Sequence, residues 1–375
     1  MIIPRIIKKS IKDHLQANKV VVIYGSRQVG KTTLINDILK DIKEKYLFLS
    51  GEDRKNKWLS SQSIDILKEN IANNKLLVID EAQKLDNIGL NLKLIVDHIK
   101  NIKVLVTGSS SFDLSNQVGE PLVGRKWQFN LYPISQLELN KIEEKFETKS
   151  NLNNRLVYGS FPEVIVNNDI SQKKEILNSL VDNYLFKDLL QYNQIKKSDK
   201  ILDLLKLLCW QTGKEVSLTE LANSLDLNSR TVEKYLDLLE KVFVIKKING
   251  FSRNLRKEIT KSSRYYFYDN GIRNAIINNF NEIENRNDLC DLWENYLFIE
   301  RLKKQEYKRI YSNNYFWRTY DKKEIDFVEE RDGKLYGYEF KWGAKKTKKP
   351  TEWLKTYKEA QYEVINQDNY LDFIS

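Results

Sequence analysis

The residues with the clearest chemistry lie near the start of the chain, in a loop bounded by glycines and followed by lysine and threonine. An apolar run at 20–24 predicts a buried strand before this loop, and apolar residues at 34–39 recur with helical spacing after it. Glycines let the backbone N–H groups at such a strand-to-helix turn face a polyphosphate. Lys31 can then reach the β- and γ-phosphates, and the Thr32 hydroxyl can bind magnesium. The residues predicted to contact the nucleotide are Gly25, Ser26, Arg27, Gln28, Val29, Gly30, Lys31, Thr32 and Thr33.

Two acids follow a second apolar run. The run at 76–79 predicts another strand, and Asp80 and Glu81 come at its carboxyl end. Where a nucleotide is hydrolysed, one carboxylate holds magnesium and another polarises the attacking water. We therefore assign Asp80 to the metal, and Glu81 and Lys31 to catalysis. Two acids after a strand can also cap a helix, but together with the glycine loop they favour hydrolysis.

Two more positions at predicted strand ends allow two interpretations each. Ser109 comes just after the predicted strand at 104–107. A polar side chain at this strand end can sense the γ-phosphate, or it can cap the next helix. Arg125 precedes a predicted strand at 127–131. This arginine can be an arginine finger for the γ-phosphate of a neighbouring copy, or it can be an ordinary surface residue. The finger interpretation requires a homo-oligomer.

A second chemical constellation lies near the end of the chain. Asp326 and Glu339 fall on two predicted strands of a hairpin, and strand alternation places Glu339 and Lys341 on one side. Two carboxylates brought together favour a divalent cation, so both are predicted magnesium ligands, with Glu294 on a preceding helix as a further ligand through water. Glu339 and Lys341 form the predicted catalytic pair, in which Lys341 orients or deprotonates water for attack on a phosphodiester.

The middle of the chain predicts a helix, a short turn, a second helix and then strands, which is the order of a winged helix. The second helix carries acids as well as bases, and this suits a DNA groove poorly. The following segment is strongly basic and can hold DNA phosphates, or it can be a solvated hairpin or a face for another protein. Its basic residues are Lys246, Lys247, Arg253, Arg256, Lys257, Lys261 and Arg264.

Composition narrows the class of protein. A length of 375 residues predicts two or three domains, and 41% hydrophobic and 30% charged residues are typical of a globular protein. The net charge of +10 suits a polyanionic partner, although the general richness in lysine weakens that indication. Two cysteines and two histidines are too few for a zinc site or a disulfide framework. The absence of a long apolar run predicts a cytoplasmic protein without a membrane span.

Taken together, several motifs resemble those of prokaryotic AAA-like ATPases that carry a C-terminal domain of uncharacterised function. The motifs are the loop Gly25-Ser26-Arg27-Gln28-Val29-Gly30-Lys31-Thr32-Thr33-Leu34, Asp80-Glu81-Ala82-Gln83, Thr107-Gly108-Ser109-Ser110-Ser111-Phe112, Gly124-Arg125 and Gly159-Ser160-Phe161-Pro162-Glu163-Val164. The resemblance covers most of the chain. It implies an AAA-type ATPase that uses ATP and Mg²⁺, a winged helix and a restriction-endonuclease-like module whose active site has every position filled.

The predicted fold class is α/β, because strands and helices alternate and therefore favour a parallel sheet. The predicted architecture is a P-loop NTPase sheet with a helical lid, followed by a winged helix and an α/β restriction-endonuclease-like domain. The predicted boundaries are 1–132 for the ATPase core, 133–182 for the lid, 183–270 for the winged helix-turn-helix and 271–375 for the nuclease-like domain.

Two hypotheses about function follow. In the first, a magnesium-dependent ATPase uses its nucleotide state to control a DNA-contacting C-terminal half, in which cleavage of DNA is an open question. In the second, slow ATP turnover drives a regulatory or signalling switch that binds a protein partner, and the nuclease-like domain is not catalytic.

Overall fold

The computed structural model describes residues 3–108, 122–182, 198–253, 263–319, 323–343 and 349–375. Within these ranges the chain divides into two compact units. The first unit comprises Pro4–Tyr132 and Lys241–Phe243, and the second comprises Ile3, Pro133–Glu240 and Val244–Ser375. Each unit contains one β-sheet.

The first unit alternates strands and helices along most of its length. Its elements are α1 (Ile7–His14), β1 (Val20–Tyr24), α2 (Lys31–Leu39), β2 (Tyr46–Ser50), a 3-10 helix (Arg54–Ser60), α3 (Ile64–Ile71), β3 (Leu76–Asp80), a 3-10 turn (Ala82–Lys84), α4 (Ile88–His98), β4 (Lys103–Gly108) and β5 (Lys126–Asn130). Strands β1 and β3 are buried along their whole length, which explains their uninterrupted apolar sequences.

The five strands of the first unit form a parallel sheet in the order β2-β3-β4-β1-β5. The predicted parallel sheet is therefore confirmed. Because β4 lies between β1 and β3, its carboxyl end lies beside both the glycine loop and the paired acids. The register pairs Thr107 with Ile23 on β1, and it pairs Val106 with Ile79 on β3. The carboxyl ends of three neighbouring strands thus meet at one edge of the sheet.

The second unit begins with short helices and continues into a mixed sheet. Its elements are α5 (Gln136–Leu139), α6 (Lys145–Ser150), α7 (Leu152–Tyr158), α8 (Pro162–Val166), α9 (Ile170–Leu180), α10 (Ser198–Trp210), β6 (Glu215–Val216), α11 (Leu218–Leu225), α12 (Ser229–Lys241), β7 (Ile245–Gly250), β8 (Ser263–Phe267), α13 (Asn270–Ile276), a 3-10 turn (Ile283–Asn285), α14 (Leu289–Lys308), β9 (Asn313–Arg318), β10 (Glu324–Arg331), β11 (Lys334–Phe340), α15 (Thr351–Thr356), β12 (Gln361–Ile365) and α16 (Tyr370–Ile374). Helix α12 ends within the first unit.

The sheet of the second unit has seven strands in the order β12-β11-β10-β9-β7-β8-β6. Strands β9, β10 and β11 are antiparallel neighbours, and β7, β8 and β6 are antiparallel neighbours. The two groups join where β7 pairs with β9 in parallel, through Asn249 with Tyr315 and Gly250 with Phe316. The strands of the predicted winged-helix segment 183–270 and the strands of the predicted nuclease-like domain therefore belong to one sheet.

Buried hydrogen bonds attach the helices of 133–182 to the rest of the second unit. The Ser160 N–H donates to Asp269 Oδ2 at 2.7 Å, and the Gln136 N–H donates to Glu300 Oε2 at 2.6 Å. Gly159 adopts φ +71°, and a Cβ atom there would lie 2.0 Å from Asp269 Oδ1. The glycine and serine at 159–160 therefore allow a close contact with the loop before α13. A lid function for these helices stays a prediction.

Candidate functional site

The glycine loop connects the carboxyl end of β1 to the first turn of α2. Gly30 adopts φ +95° as the N-terminal cap of α2, and Gln28 also has a positive φ of +58°. Ser26 and Val29 are buried, Arg27 is half-buried, and Gln28, Thr32 and Thr33 are exposed. Ser109 lies outside the described residues, so its predicted phosphate contact stays a prediction.

The structure gives Gly25 a role that the sequence did not indicate. A Cβ atom at this position would lie 2.3 Å from the backbone oxygen of Leu131. The Leu131 N–H also donates to the carbonyl of Tyr24 at 2.7 Å, so the chain after β5 passes directly against the start of the loop. Gly25 is therefore required for backbone packing behind the loop.

Arg5 supports the same loop from the chain segment before α1. One of its terminal nitrogens donates to the Val29 carbonyl at 2.8 Å, and the other donates to the Tyr132 carbonyl at 2.6 Å. Sequence reasoning missed Arg5, because a single arginine far from the motif carries no recognisable pattern.

Lys31 is almost completely buried in the turn of the loop. Its Nζ donates to the carbonyl oxygens of Gly25 at 2.9 Å and Ser26 at 3.1 Å, and it lies 3.6 Å from Glu81 Oε1. Desolvation lowers the pKa of Lys31, while the charges of Glu81 and Asp80 act in the opposite direction. The ammonium group is thus held by carbonyl dipoles and one neighbouring carboxylate, in a position where phosphate oxygens can replace the carbonyls.

The carboxylate of Asp80 accepts hydrogen bonds from two hydroxyl groups. Thr32 Oγ1 donates to Asp80 Oδ2 at 2.6 Å, and the buried hydroxyl of Thr107 donates to Asp80 Oδ1. A hydroxyl and a carboxylate side by side are hard oxygen donors of the kind that Mg²⁺ prefers. The residues present therefore fit a magnesium ion bound at Thr32 and Asp80.

Thr107 is a second functional residue that sequence reasoning missed. Besides its bond to Asp80, its oxygen accepts the N–H of Glu81 at 3.0 Å. It thereby connects the predicted metal ligand Asp80 to the backbone of the predicted base. The signal was present in the sequence, since Thr107 is the first polar residue after the apolar run at 104–106.

Glu81 has an unusual backbone conformation for a residue with a side chain. Its φ of +53° lies in the left-handed region, and a Cβ atom on the neighbouring Gly51 would lie 2.3 Å from its carbonyl oxygen. Such backbone strain is common at functional sites, where the surrounding structure imposes it. The side-chain oxygens of Glu81 face Lys31 and Gln83.

Arg125 lies at the amino ends of the parallel strands, opposite the end where the glycine loop begins. The Val20 N–H donates to its carbonyl at 2.9 Å, so it is level with the start of β1, while the glycine loop follows the end of that strand. The length of β1 separates the two by about 13 Å. The Arg125 Nε donates to Asp97 Oδ1 at 2.7 Å. An arginine-finger role can therefore apply only to the nucleotide of another copy, and it stays a prediction.

The second constellation lies on β10, β11 and α14. The register pairs Phe327 with Tyr338, which places Asp326 opposite Glu339. Asp326 is buried, and its Oδ2 accepts the N–H of Phe340 at 2.8 Å. Desolvation and the charge of Glu339 raise the pKa of Asp326 to about 7.

Lys341 and Glu294 lie close to these two carboxyls. Lys341 Nζ is 2.6 Å from Glu339 Oε1, and this bond and the charge of Asp326 raise the pKa of Lys341 against the effect of desolvation. Desolvation and the charge of Asp326 raise the pKa of Glu294 well above its ordinary range. Across the ranges that the structure describes, no three Asp, Glu, His or Cys side chains converge on one point as metal ligands. The predicted roles of Asp326, Glu339 and Glu294 as metal ligands therefore stay predictions.

Strand β8 contributes residues to this cluster that sequence reasoning missed. The Tyr266 hydroxyl donates to Glu294 Oε1 at 2.7 Å, and an Arg264 terminal nitrogen lies 3.8 Å from the same oxygen. Arg264 also donates to Glu324 Oε2 at 2.9 Å and lies over the ring of Phe316.

Arg264 is consequently not available for the DNA contact expected from the basic segment. The residue is 3% exposed, because β8 is an interior strand of the sheet. Lys246 forms an ion pair with Glu240 at 2.6 Å, and the Arg253 guanidinium lies over the ring of Tyr357. Arg256, Lys257 and Lys261 lie outside the described residues.

The parallel sheet, the glycine loop and the two acids define the first unit as a P-loop ATPase fold. Comparison with known proteins agrees with this class. Residues 17–140 match the model of an AAA domain family, residues 149–283 match a domain of unknown function, DUF8612, and residues 290–371 match another, DUF4143.

Two relatives and a solved structure are also similar to this chain over much of their length. An uncharacterized protein of Methanocaldococcus jannaschii is 27% identical, over 86% of this chain and 75% of that protein. An uncharacterized protein of Mycobacterium tuberculosis is 26% identical, over 86% of this chain and 70% of that protein. A Walker-type ATPase of Pyrococcus abyssi has a similar fold with a TM-score of 0.50 and 14% identity, over 74% of this chain and 96% of that one.

The search for membrane-spanning helices gave a negative result. None of the helices in the described ranges is both long enough and apolar enough to cross a bilayer.

Proposed function

We propose that this protein is a magnesium-dependent ATPase whose nucleotide state controls a DNA-contacting C-terminal half. The observation that supports the ATPase proposal is the convergence of Lys31, Thr32, Asp80 and Glu81 at the carboxyl edge of the parallel sheet. Lysine, hydroxyl, metal-binding carboxylate and base are the groups that phosphoryl transfer to water requires.

In the proposed reaction, residues 25–33 surround the phosphates of ATP. Lys31 exchanges its bonds to the Gly25 and Ser26 carbonyls for bonds to the β- and γ-phosphates. Thr32 and Asp80 hold magnesium, which neutralises phosphate charge when bound. Glu81 accepts a proton from the water whose oxygen bonds to the γ-phosphorus, as the bond from that phosphorus to the ADP oxygen breaks.

The test of this proposal is ATP hydrolysis by the purified full chain. We expect Lys31→Ala to lose at least about 100-fold in kcat, because its ammonium group stabilises the phosphates in the transition state. Its melting temperature should stay near that of the wild type, because Lys31 contributes no apolar core packing. A Lys40→Ala variant, which removes an exposed lysine just after α2, is the matched control. Equal hydrolysis by wild type and Lys31→Ala would refute the assignment.

For the C-terminal half, we propose a nuclease-like site in which Asp326 and Glu339 hold a divalent cation and Lys341 orients the attacking water. Its support is the placement of both carboxyls on paired strands with the Lys341 ammonium 2.6 Å from one of them. Glu294 acts through water in this proposal. DNA is the proposed substrate or ligand, and the exposed basic residues of the segment after α12 are its proposed contacts.

A second candidate function has an observation in its favour. Lys341 is already paired with Glu339, and Arg264 is buried in the sheet, so the cluster as it stands is a closed charge network. A domain that kept this network for stability alone would serve an ATP-driven switch that binds a protein partner.

One experiment separates the two candidates. Wild type and Glu339→Ala are incubated with plasmid, Mg²⁺ and ATP, and Glu330→Ala on the same strand pair is the control. Cleavage that is lost only in Glu339→Ala supports the nuclease proposal. Identical plasmids in all three samples, combined with ATPase activity that DNA does not stimulate, support the protein-binding switch.

A further inference from the structure

Gln83 lies beside the proposed catalytic base and ends the motif Asp80-Glu81-Ala82-Gln83, in which it has no assigned role so far. It is the middle residue of the 3-10 turn Ala82–Lys84, directly after Glu81. Its Nε2 donates to Glu81 Oε2 at 2.5 Å. The other oxygen, Oε1, lies 3.6 Å from Lys31 Nζ. Each oxygen of the Glu81 carboxylate therefore faces a different donor.

The backbone of Glu81 is already fixed without Gln83. Its N–H donates to Thr107, its φ lies in the left-handed region, and Gly51 packs against its carbonyl oxygen. What these contacts leave unset is the direction of the carboxylate, which depends on the side-chain torsions. The bond from Gln83 sets that direction.

The Lys31 ammonium donates two hydrogen bonds to backbone carbonyls and forms a longer ion pair with Glu81. An ammonium group has three N–H donors, and Lys31 Nζ lies near the Gly25 carbonyl, the Ser26 carbonyl and Glu81 Oε1. Phosphate oxygens that bind Lys31 must therefore displace these partners. When the ammonium moves to a phosphate, Oε1 loses its neighbour and becomes able to accept a proton from water.

We propose that Gln83 is a positioning residue that holds Glu81 Oε2, so that nucleotide binding frees only Oε1 and frees it in a fixed direction. The inference rests on the proposed ATP hydrolysis and adds a mechanism for restricting it to the loaded site. Before the ammonium moves, Lys31 Nζ lies 3.6 Å from the proposed catalytic oxygen Oε1. In the loaded site Gln83 keeps the carboxylate aimed at the water.

The inference predicts a specific kinetic signature. A hydrogen bond to a charged group typically stabilises it by about 1.5–3 kcal/mol. Losing the bond from Gln83 to Glu81 should therefore lower kcat by about 10- to 100-fold. The KM and the dissociation constant for ATP should change less than about twofold, because Gln83 bonds the base and is not itself among the predicted nucleotide-binding residues. A residue that only stabilised the fold would not produce this separation of kcat from nucleotide affinity.

The experiment compares ATP hydrolysis and ATP binding by the wild-type full chain, Gln83→Met and Gln83→Asn. Methionine keeps the length of the side chain without the amide, and asparagine keeps the amide at a shorter reach. Gln16→Met, at an exposed glutamine, is the matched control and should behave as wild type. A melting curve for each variant establishes that it is folded.

Each outcome decides the inference. A lower kcat in both Gln83 variants with near-normal ATP binding supports it. An unchanged or higher kcat in Gln83→Met, with an active wild type, overturns it and leaves the ATPase proposal intact. A wild type that binds ATP and does not hydrolyse it overturns the proposed hydrolysis itself, and the inference with it.

Discussion

The carboxyl group of Asp269 gives the second unit a predictable dependence of stability on pH. Asp269 is buried between the helices of 133–182 and α13, where its oxygens accept the N–H groups of Ser160 at 2.7 Å and Ile272 at 3.1 Å. Desolvation raises its pKa from 3.8 to about 6, against the opposing effects of the Ser160 N–H and the charge of Lys303. A carboxyl in the unfolded chain has a pKa near 3.9.

The sign of the effect follows from the two pKa values. As the pH rises above about 4, Asp269 loses its proton in the unfolded chain while the folded protein keeps it up to about pH 6. The unfolded state then binds fewer protons than the folded state, so the free energy of unfolding falls between these values. A difference of about 2 pKa units corresponds to about 3 kcal/mol. This contribution is complete below pH 4 and absent above pH 6.

The assay is urea unfolding of wild type and Asp269→Asn between pH 4 and pH 7. Asparagine does not titrate, so the difference in unfolding free energy between the two proteins should change by about 3 kcal/mol across this window. At pH 4 the variant should be about 1–3 kcal/mol less stable than the wild type, because one of the two N–H groups then faces the amide NH₂, and this deficit should disappear by pH 7. Asp203→Asn, at an exposed acid of α10, is the control. Parallel pH profiles for wild type and Asp269→Asn would refute the reasoning.

Three further substitutions have expected outcomes. Gly25→Ala places a methyl group 2.3 Å from a backbone oxygen, so we expect about 1–3 kcal/mol lower stability in urea unfolding and weaker binding of a fluorescent ATP analogue. Thr107→Val removes the hydroxyl that joins Asp80 to the base, and the ATPase assay should show about 10- to 100-fold lower kcat. Tyr266→Phe removes the hydrogen bond to Glu294, and urea unfolding should show a loss of about 1–2 kcal/mol.

Two control variants remove the same groups where they are exposed. Thr219→Val should leave ATPase activity unchanged, and Tyr311→Phe should leave stability unchanged. The role of Thr107 is refuted if its valine variant hydrolyses ATP at the wild-type rate. For Tyr266, a stability loss no larger than that of Tyr311→Phe contradicts the prediction, and for Gly25 the contradicting result is unaltered ATP binding.

Local sequence patterns were sufficient to predict the P-loop ATPase fold of the first unit. Strands β1 and β3 contain continuous apolar runs, and the glycine loop lies between a strand and a helix that adjoin it in sequence. The placement of Asp326 opposite Glu339 could also be predicted from the sequence, because a tight hairpin turn and strand alternation determine it. In each case the residues that decide the structure are neighbours in the chain.

The features that sequence reasoning missed depend on distant parts of the chain. Ser160 and Asp269 are 109 positions apart, and neither has a local pattern that indicates the other. The burial of Arg264 depends on the parallel pairing of β7 with β9, which joins residues near 250 to residues near 315. A charge-rich segment therefore resembled a solvated hairpin, although one of its arginines is an internal partner of carboxylates.

The seam between β7 and β9 limits how this chain can be recombined. It consists of only two paired positions, yet it unites strands that belong to separately recognised family segments, 149–283 and 290–371. A chimera that takes one segment from a relative must reproduce the twist and spacing of that seam, as well as the arginine and tyrosine that cross it toward the acidic cluster. We therefore expect an exchange of one segment alone to leave Glu294 without its partners Arg264 and Tyr266, unless the replacement also carries them.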